Sequence, residues 1–247
     1  MKILVCISKT PDTTSRIAFK DNNTKFDDAG VQWIINPYDE WYALVRAIEL
    51  KEKDAQVIIH LITVGGPDCD PVIRKALALG GDLATRVNST DSDSFNIASQ
   101  IAAVAKTEKY DLIMTGKETI DFNSSSVGAM ISELLEYPFV SLATKFDLNN
   151  DIATITREIE GGEETVELKL PMVISCQKGM AEQRIPNMRG IMSARTKPLN
   201  VVEPISVAAT TEYLNFSMPP AKAGVKLVPA DQVAELVRLL HEEAKVI

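Results

Sequence analysis

Three segments and one loop carry the residues that could do chemistry. Gly116-Lys117-Glu118-Thr119-Ile120-Asp121-Phe122-Asn123-Ser124-Ser125-Ser126-Val127 is a polar stretch that follows a short apolar run and precedes a helical pattern. Hydroxyls and exposed amides at a helix start make an anion site, and a phosphate is its natural guest. A helix start capped several times over by serines explains the same residues equally well. Asn36-Pro37-Tyr38-Asp39 precedes a second helical pattern; by itself it reads as an ordinary N-cap, with Asn36 as the cap and Pro37 in the first turn. Val64-Gly65-Gly66-Pro67 closes an apolar run, and its glycines either let backbone approach a ligand or simply turn the chain.

The loop lies further on. Between Lys178 and Lys197 stand five basic residues (Lys178, Arg184, Arg189, Arg195, Lys197) against one acid, Glu182, in a chain of net charge −8. Met180, Met188 and Met192 share this segment. Cations steer acidic partners and methionines adapt to varied surfaces, so the segment suits docking. The alternative is a solvated basic loop that buries its methionines.

These segments need a scaffold, and the hydrophobic pattern supplies one. Ile3–Ile7, Val57–Val64, Leu83–Val87 and Leu112–Thr115 are short apolar runs of the kind buried on both faces of a parallel sheet. Amphipathic stretches separate them, including Pro71–Leu79 and the Ile97, Ile101, Val104 stripe that follows the capping cluster Asp91–Ser94. Alternation of this kind predicts βαβ units: an α/β fold with a mostly parallel twisted sheet, Rossmann-like, with helices on both faces. Phe146–Asp151 reads as a turn. Two alternating runs around Gly161-Gly162 predict a β-hairpin insertion, and Met172–Cys176 returns to the main sheet. The chain thus divides into a nucleotide-binding α/β domain, 1–199, with the docking loop at about 176–198, and a C-terminal arm, 200–247. The arm holds four of the prolines and ends in a helix striped by Val233, Leu236, Val237 and Leu240; it is expected to lie on a partner subunit, the alternative being a terminal helix packed on its own sheet.

Composition narrows the function classes. A net charge of −8 argues against a nucleic-acid partner. Three dispersed cysteines and two histidines supply neither a disulfide framework nor a histidine-based metal or catalytic site. His60, inside an apolar run, reads as a hydrogen-bonded strand residue. The apolar start is too short for a signal peptide, and no apolar span is long enough to cross a membrane, so a cytoplasmic location is expected. Glycine-rich dinucleotide, P-loop, zinc-protease and nucleophile-elbow motifs are missing.

Six segments in order resemble one family, the β (small) subunit of electron-transfer flavoproteins. They are Lys2–Ile7, Asn36–Asp39, Arg74–Asp82, Gly116–Asp121, Arg157–Gly162 and Pro186–Met192. The resemblance covers nearly the whole chain. It implies an electron carrier rather than an enzyme, a heterodimer with an α subunit that holds most of the FAD site, and an AMP buried in the β subunit. It also implies docking of dehydrogenases, such as acyl-CoA dehydrogenases, and delivery to a quinone reductase or similar acceptor. The matching cofactor positions are Cys6, Asn36 to Asp39, Val64, and Gly116 to Val127. The docking positions are Met188 as apolar anchor, Arg184, and their neighbours Arg189, Ile191 and Met192. The chain departs from the family pattern at Phe122, Asn123 and Ser126, and has Thr13 where some members carry a tyrosine. These departures leave open AMP, the second FAD of electron-bifurcating members, or an empty site. Rival classes are a universal-stress-type nucleotide module, an ATP-pyrophosphatase, and a structural partner with a vestigial site; the first two lack their phosphate loops here.

Overall fold

The computed structural model describes every residue except Ala223. Contacts group it into two compact units, 1–17 with 27–214, and 18–26 with 215–247. The first unit contains β1 (Lys2–Cys6), a ribbon of β2 (Lys9–Pro11) and β5 (Trp33–Ile35), and α1 (Asp39–Lys53). Then come β6 (Ile58–Val64), α2 (Asp70–Leu79), β7 (Leu83–Val87), α3 (Ser94–Glu108), β8 (Leu112–Gly116) and α4 (Val127–Leu135). The unit finishes with β9 (Phe139–Asn149), β10 (Ile152–Ile159), β11 (Gly162–Lys169), β12 (Met172–Cys176), α5 (Met188–Ala194) and β13 (Leu199–Val202). The second unit pairs β3 (Phe19–Lys20) with β4 (Lys25–Phe26), stacks Phe19 on Phe216 at 5.0 Å, and carries α6 (Val233–Arg238), none of whose side chains is buried.

One nine-stranded sheet organises the first unit in the order β11-β10-β9-β12-β8-β1-β6-β7-β13. It is parallel from β9 to β13, and β10 pairs antiparallel with both its neighbours, β9 and β11. The fold is therefore the expected α/β one. Strand residues alternate between two cores: Ile3 and Val5 of β1 face α1 and α2, while Leu4 and Cys6 face α3 and α4. Continuous apolar strands are what a sheet covered on both faces requires.

Two expectations need correcting. The stretch read as a turn at Phe146 is strand: β9 runs on to Asn149, with Phe146 buried and Lys145, Asp147 and Asn149 exposed. Its aspartate and asparagine are outward positions of an alternating strand, and the turn begins only at Asn150. Leu199–Val202, read as the start of an irregular arm, adds β13 beside β7. Prolines at 198 and 204 bracket a four-residue edge strand too short to show a period.

His60 sits where an apolar strand tolerates it. Its two ring nitrogens meet the Tyr110 hydroxyl at 2.5 Å and the Thr85 hydroxyl at 2.9 Å. Burial, with help from the Lys2 charge, pushes its pKa down to about 4, so the ring is neutral at physiological pH.

Candidate functional site

The chain leaves β1 to build β6 and β7 on one side, then crosses back to place β8 on the other. Strand order reverses between β1 and β8, and ligands of open α/β sheets sit outside the carboxyl ends of strands at such a point. A crevice of about 310 Å³ opens there. Its floor is apolar, with Cys6, Ile62, Val64, Ile97 and Ile101. One bank is the Ser89–Ser92 turn after β7 with Ser94 beyond it, and the other is the loop after β8 through Phe122, with Ser124, Ser126 and Val127.

The bank after β8 is held by α1. Gly116 ends β8 where α1 begins: a Cβ on it would stand 2.8 Å from Glu40 Cγ and 3.0 Å from Asp39 Cβ. Asn36 is not a cap. The residue before α1 is Tyr38, with φ of +67° and no side-chain capping bond. Buried Asn36 instead clamps the loop, its Nδ2 donating to Glu118 O at 2.8 Å and its Oδ1 accepting from Ile120 N at 3.1 Å. Asp39 accepts from Glu118 N at 3.3 Å, and burial raises its pKa. Lys117 pairs with Glu118 at 3.0 Å, and Ser125 Oγ donates to the Glu118 carboxylate at 2.9 Å.

The serines do not cap α4 either. Ser126 precedes the helix in a helical conformation without a side-chain capping bond. The leading amides of α4 are thus left without a side-chain partner beside the crevice, and Ser124 and Ser126 line the same wall. Asn123 and Ser125 take left-handed φ of +51° and +50°, which lets the loop turn sharply into the helix.

Of the expected cofactor positions, Cys6, Val64, Gly116 to Thr119, Asp121, Phe122, Ser124, Ser126 and Val127 line the crevice. Asn36, Asp39, Ile120 and Ser125 brace its bank from behind. Tyr38 is exposed, and Pro37, Tyr38 and Asn123 lie outside the lining.

Two further residues shape the site. Glu40 is 4% exposed and accepts from Ser8 N at 2.5 Å and Ser8 Oγ at 2.7 Å, tying the end of β1 to α1. Burial raises its pKa to about 8 against the pull of the Ser8 bonds, with Asp121 and Asp39 adding to the rise. Buried Arg86 donates to Gly65 O at 3.0 Å, Asn88 Oδ1 at 2.9 Å and Asp70 at 2.7 Å, fixing the glycine turn after β6. The second of two adjacent acids in the first turn of α1 and a lone arginine inside a buried strand were the available signals.

The docking segment is built differently. Met180 is buried, whereas Met188 is 72% and Ile185 86% exposed, with Ile191, Met192 and Arg189 also exposed. Asn187 caps α5 by accepting from Gly190 N at 2.8 Å. A Cβ on Gly190 would meet Ala78 O at 2.2 Å, so α5 lies directly against the end of α2. Arg184 turns inward: its guanidinium grips Glu52 at 2.6 and 3.1 Å, and its carbonyl accepts from Trp41 Nε1 at 3.1 Å.

Comparison with known proteins agrees with this architecture. Residues 23–207 match the electron transfer flavoprotein domain. The chain is 37% identical to the electron transfer flavoprotein subunit beta of Bacillus subtilis over the whole of both chains. It is 39% identical to that of Syntrophomonas wolfei over 94% of this chain and 92% of that one. Against the human subunit it is 30% identical over 96% of each. The chain therefore belongs to the electron transfer flavoprotein β-subunit family.

Proposed function

We propose that the chain is the β half of a heterodimeric electron carrier, with an AMP in its crevice and an FAD held mainly by the α subunit. FAD supplies the one- and two-electron transfer when bound. The observation that carries the nucleotide reading is the crevice itself: about 310 Å³ at the strand-order reversal, apolar below and lined by hydroxyls and helix amides on one wall. That volume lies at the small end of ligand sites, about 300–1,000 Å³, and favours a mononucleotide over a second FAD.

The residues present fit the group. Ser124, Ser126 and the leading amides of α4 would hold the phosphate, and Val64, Ile97 and Ile101 would take the base. Gly65 and Gly116 let the strand ends that line it pack closely on Cys69 and on the start of α1. Two of the acids lining the crevice are silenced: Lys117 neutralises Glu118, and burial raises the Glu40 pKa to about 8.

The loop at about 176–198 presents Ile185, Met188 and Met192 to dehydrogenases such as those acting on acyl-CoA, and the basic residues Arg189 and Arg195 draw acidic partners to it. The arm, 200–247, contacts the α subunit. Electrons pass on to a quinone reductase or similar acceptor, in the cytoplasm. Among the described residues no helix is long and apolar enough to cross a membrane.

The test is to purify the chain with its co-expressed α subunit and identify the nucleotides released on denaturation. One FAD and one AMP per heterodimer is the expected result. Two FADs would replace this reading with an electron-bifurcating one, and the absence of both partner and nucleotide would end it.

A further inference from the structure

The segment after β13 runs from one bank of the crevice to the other. Gln100 of α3, itself buried, grips it first: Ile205 N donates to Gln100 Oε1 at 2.8 Å, and Gln100 Nε2 donates to Ile205 O at 2.9 Å. Asp93 then takes hold. Its carboxylate accepts the hydroxyls of Thr210 and Thr211 at 2.9 and 2.5 Å, and their amides at 3.3 and 3.0 Å. The same carboxylate caps α3 by accepting from Asn96 N at 3.0 Å. Burial works to raise its pKa, but the bonds from Thr211, Thr210 and Asn96 outweigh it and hold the group at about 2. Two residues beyond Thr211, the Tyr213 ring packs on Phe122 at 5.1 Å.

These contacts stand on opposite sides of the site. Asp93 lies between Ser92 and Ser94, which line the bank after β7, while Phe122 lines the bank after β8. In the sheet the ends of β1 and β6 lie between those of β7 and β8, and the crevice opens over them. The segment is therefore fastened to both rims.

We infer that residues 203–214 form a strap from rim to rim of the nucleotide crevice, and that Asp93 is the positioning residue that latches it, so that bound nucleotide leaves only after the latch opens. This rests on the reading of the crevice as a nucleotide site. Hydrogen bonds to an ionised carboxylate are the stronger kind, and opening the latch gives up the four that Thr210 and Thr211 donate to Asp93.

The experiment loads the purified heterodimer with labelled AMP and follows its release into excess unlabelled AMP. The pair Thr210→Val and Thr211→Val removes both hydroxyls but keeps side-chain shape, the backbone bonds and the Asp93 cap. Release should quicken by about ten-fold, while the pair Thr210→Ser and Thr211→Ser should restore the slow rate. A merely structural role would change melting temperature without that rescue. Tyr213→Ala, which leaves Asp93 untouched, should also quicken release and serves if the valine pair does not fold. AMP release at the wild-type rate from the valine pair, or from Tyr213→Ala if that pair fails to fold, would overturn the latch while leaving the site standing. A wild-type heterodimer that neither carries nor binds AMP would remove the nucleotide reading and the latch with it.

Discussion

The crevice and the docking segment, both within the first unit, treat their side chains in opposite ways. Around the crevice, polar groups are spent on one another: Asn36 on two backbone groups, Glu40 on Ser8, Arg86 on Gly65, Asn88 and Asp70. In the segment 185–192 apolar side chains stand in solvent, while the short helix that carries most of them is fastened by the Asn187 cap, by Gly190 against Ala78, by buried Ala194 and by Arg74 Nη1 donating to Ala194 O at 2.8 Å. A site that keeps a small ligand must be formed before the ligand arrives, because each loose side chain would have to be ordered on binding. A surface that meets several partners benefits from methionines whose rotamers can adapt. The difference teaches that the two tasks are separable, and substitutions should move one without the other, except where the two share a support.

Gly190→Ala should have the largest effect, because it strikes such a support. The added methyl meets a backbone carbonyl that cannot swing aside. Overpacking of this kind costs about 1–3 kcal/mol. The denaturation midpoint should fall, and dehydrogenase-driven reduction of the flavin should fall with it. Wild-type values for both would mean that α2 does not hold the loop.

Met188→Ala comes next and should separate the two regions. A protruding apolar anchor at a docking surface is worth on the order of 2 kcal/mol, so the rate with limiting dehydrogenase should drop about thirty-fold. Thermal stability and AMP content should not change, since the side chain is 72% exposed. Ile185→Ala compares the neighbouring side chain, which is more exposed still; a larger loss there would move the anchor to position 185.

How far each region was legible in the sequence follows the same division. Strand and helix periods reveal the α/β fold because Ile3–Ile7 and Leu112–Thr115 are apolar on both faces, and the covered sheet demands that. The stretch Gly116–Val127 was legible as a ligand wall because serines, glycine and a helix start coincide there. What stayed hidden depends on residues distant in sequence. Asn36 has the composition of a cap, yet it clamps a loop more than eighty positions away. Glu40 looks like an ordinary first-turn acid until Gly116 is brought against it. Thr210 and Thr211 read as unpatterned tail, because their partner is Asp93. Hydrophobic period reports on burial, whereas polar pairing at long range leaves no period to find.

Glu40→Gln tests the crevice alone, and its sign is definite. The Glu40 pKa rises from an ordinary 4.5 to about 8 on folding. The folded state therefore favours the protonated form, and this contribution to stability is complete below about pH 4.5 and lost as pH rises through about 8. Glutamine cannot ionise. The stability of the variant relative to wild type should climb between pH 5 and pH 9, measured by denaturant midpoints, with docking rates unmoved. A constant difference across that range would mean that Glu40 is ionised throughout.

Arg184 should give the smallest effect on stability, and it ties the docking segment to the far end of the helix, α1, whose first turn braces the crevice. Its guanidinium is 39% exposed and holds Glu52, with Glu49 at 3.7 Å. A partly exposed pair of this kind is worth about 0.5–1 kcal/mol, so Arg184→Lys, which loses the two-pronged grip, should lower stability by no more than that. The informative comparison is with Glu52→Gln. If Arg184 serves docking by fixing the loop to α1, the two variants should weaken dehydrogenase coupling by similar factors, and the double variant should add little. If Arg184 reaches a dehydrogenase directly, Glu52→Gln should free the guanidinium and leave coupling intact or improved. The pH dependence distinguishes them as well. The Arg184 bond lowers the pKa of Glu52, so its contribution is present above the ordinary carboxylate range and lost as pH falls through it. Coupling that weakens in acid in the wild type but not in Glu52→Gln would assign Arg184 to the support of the loop.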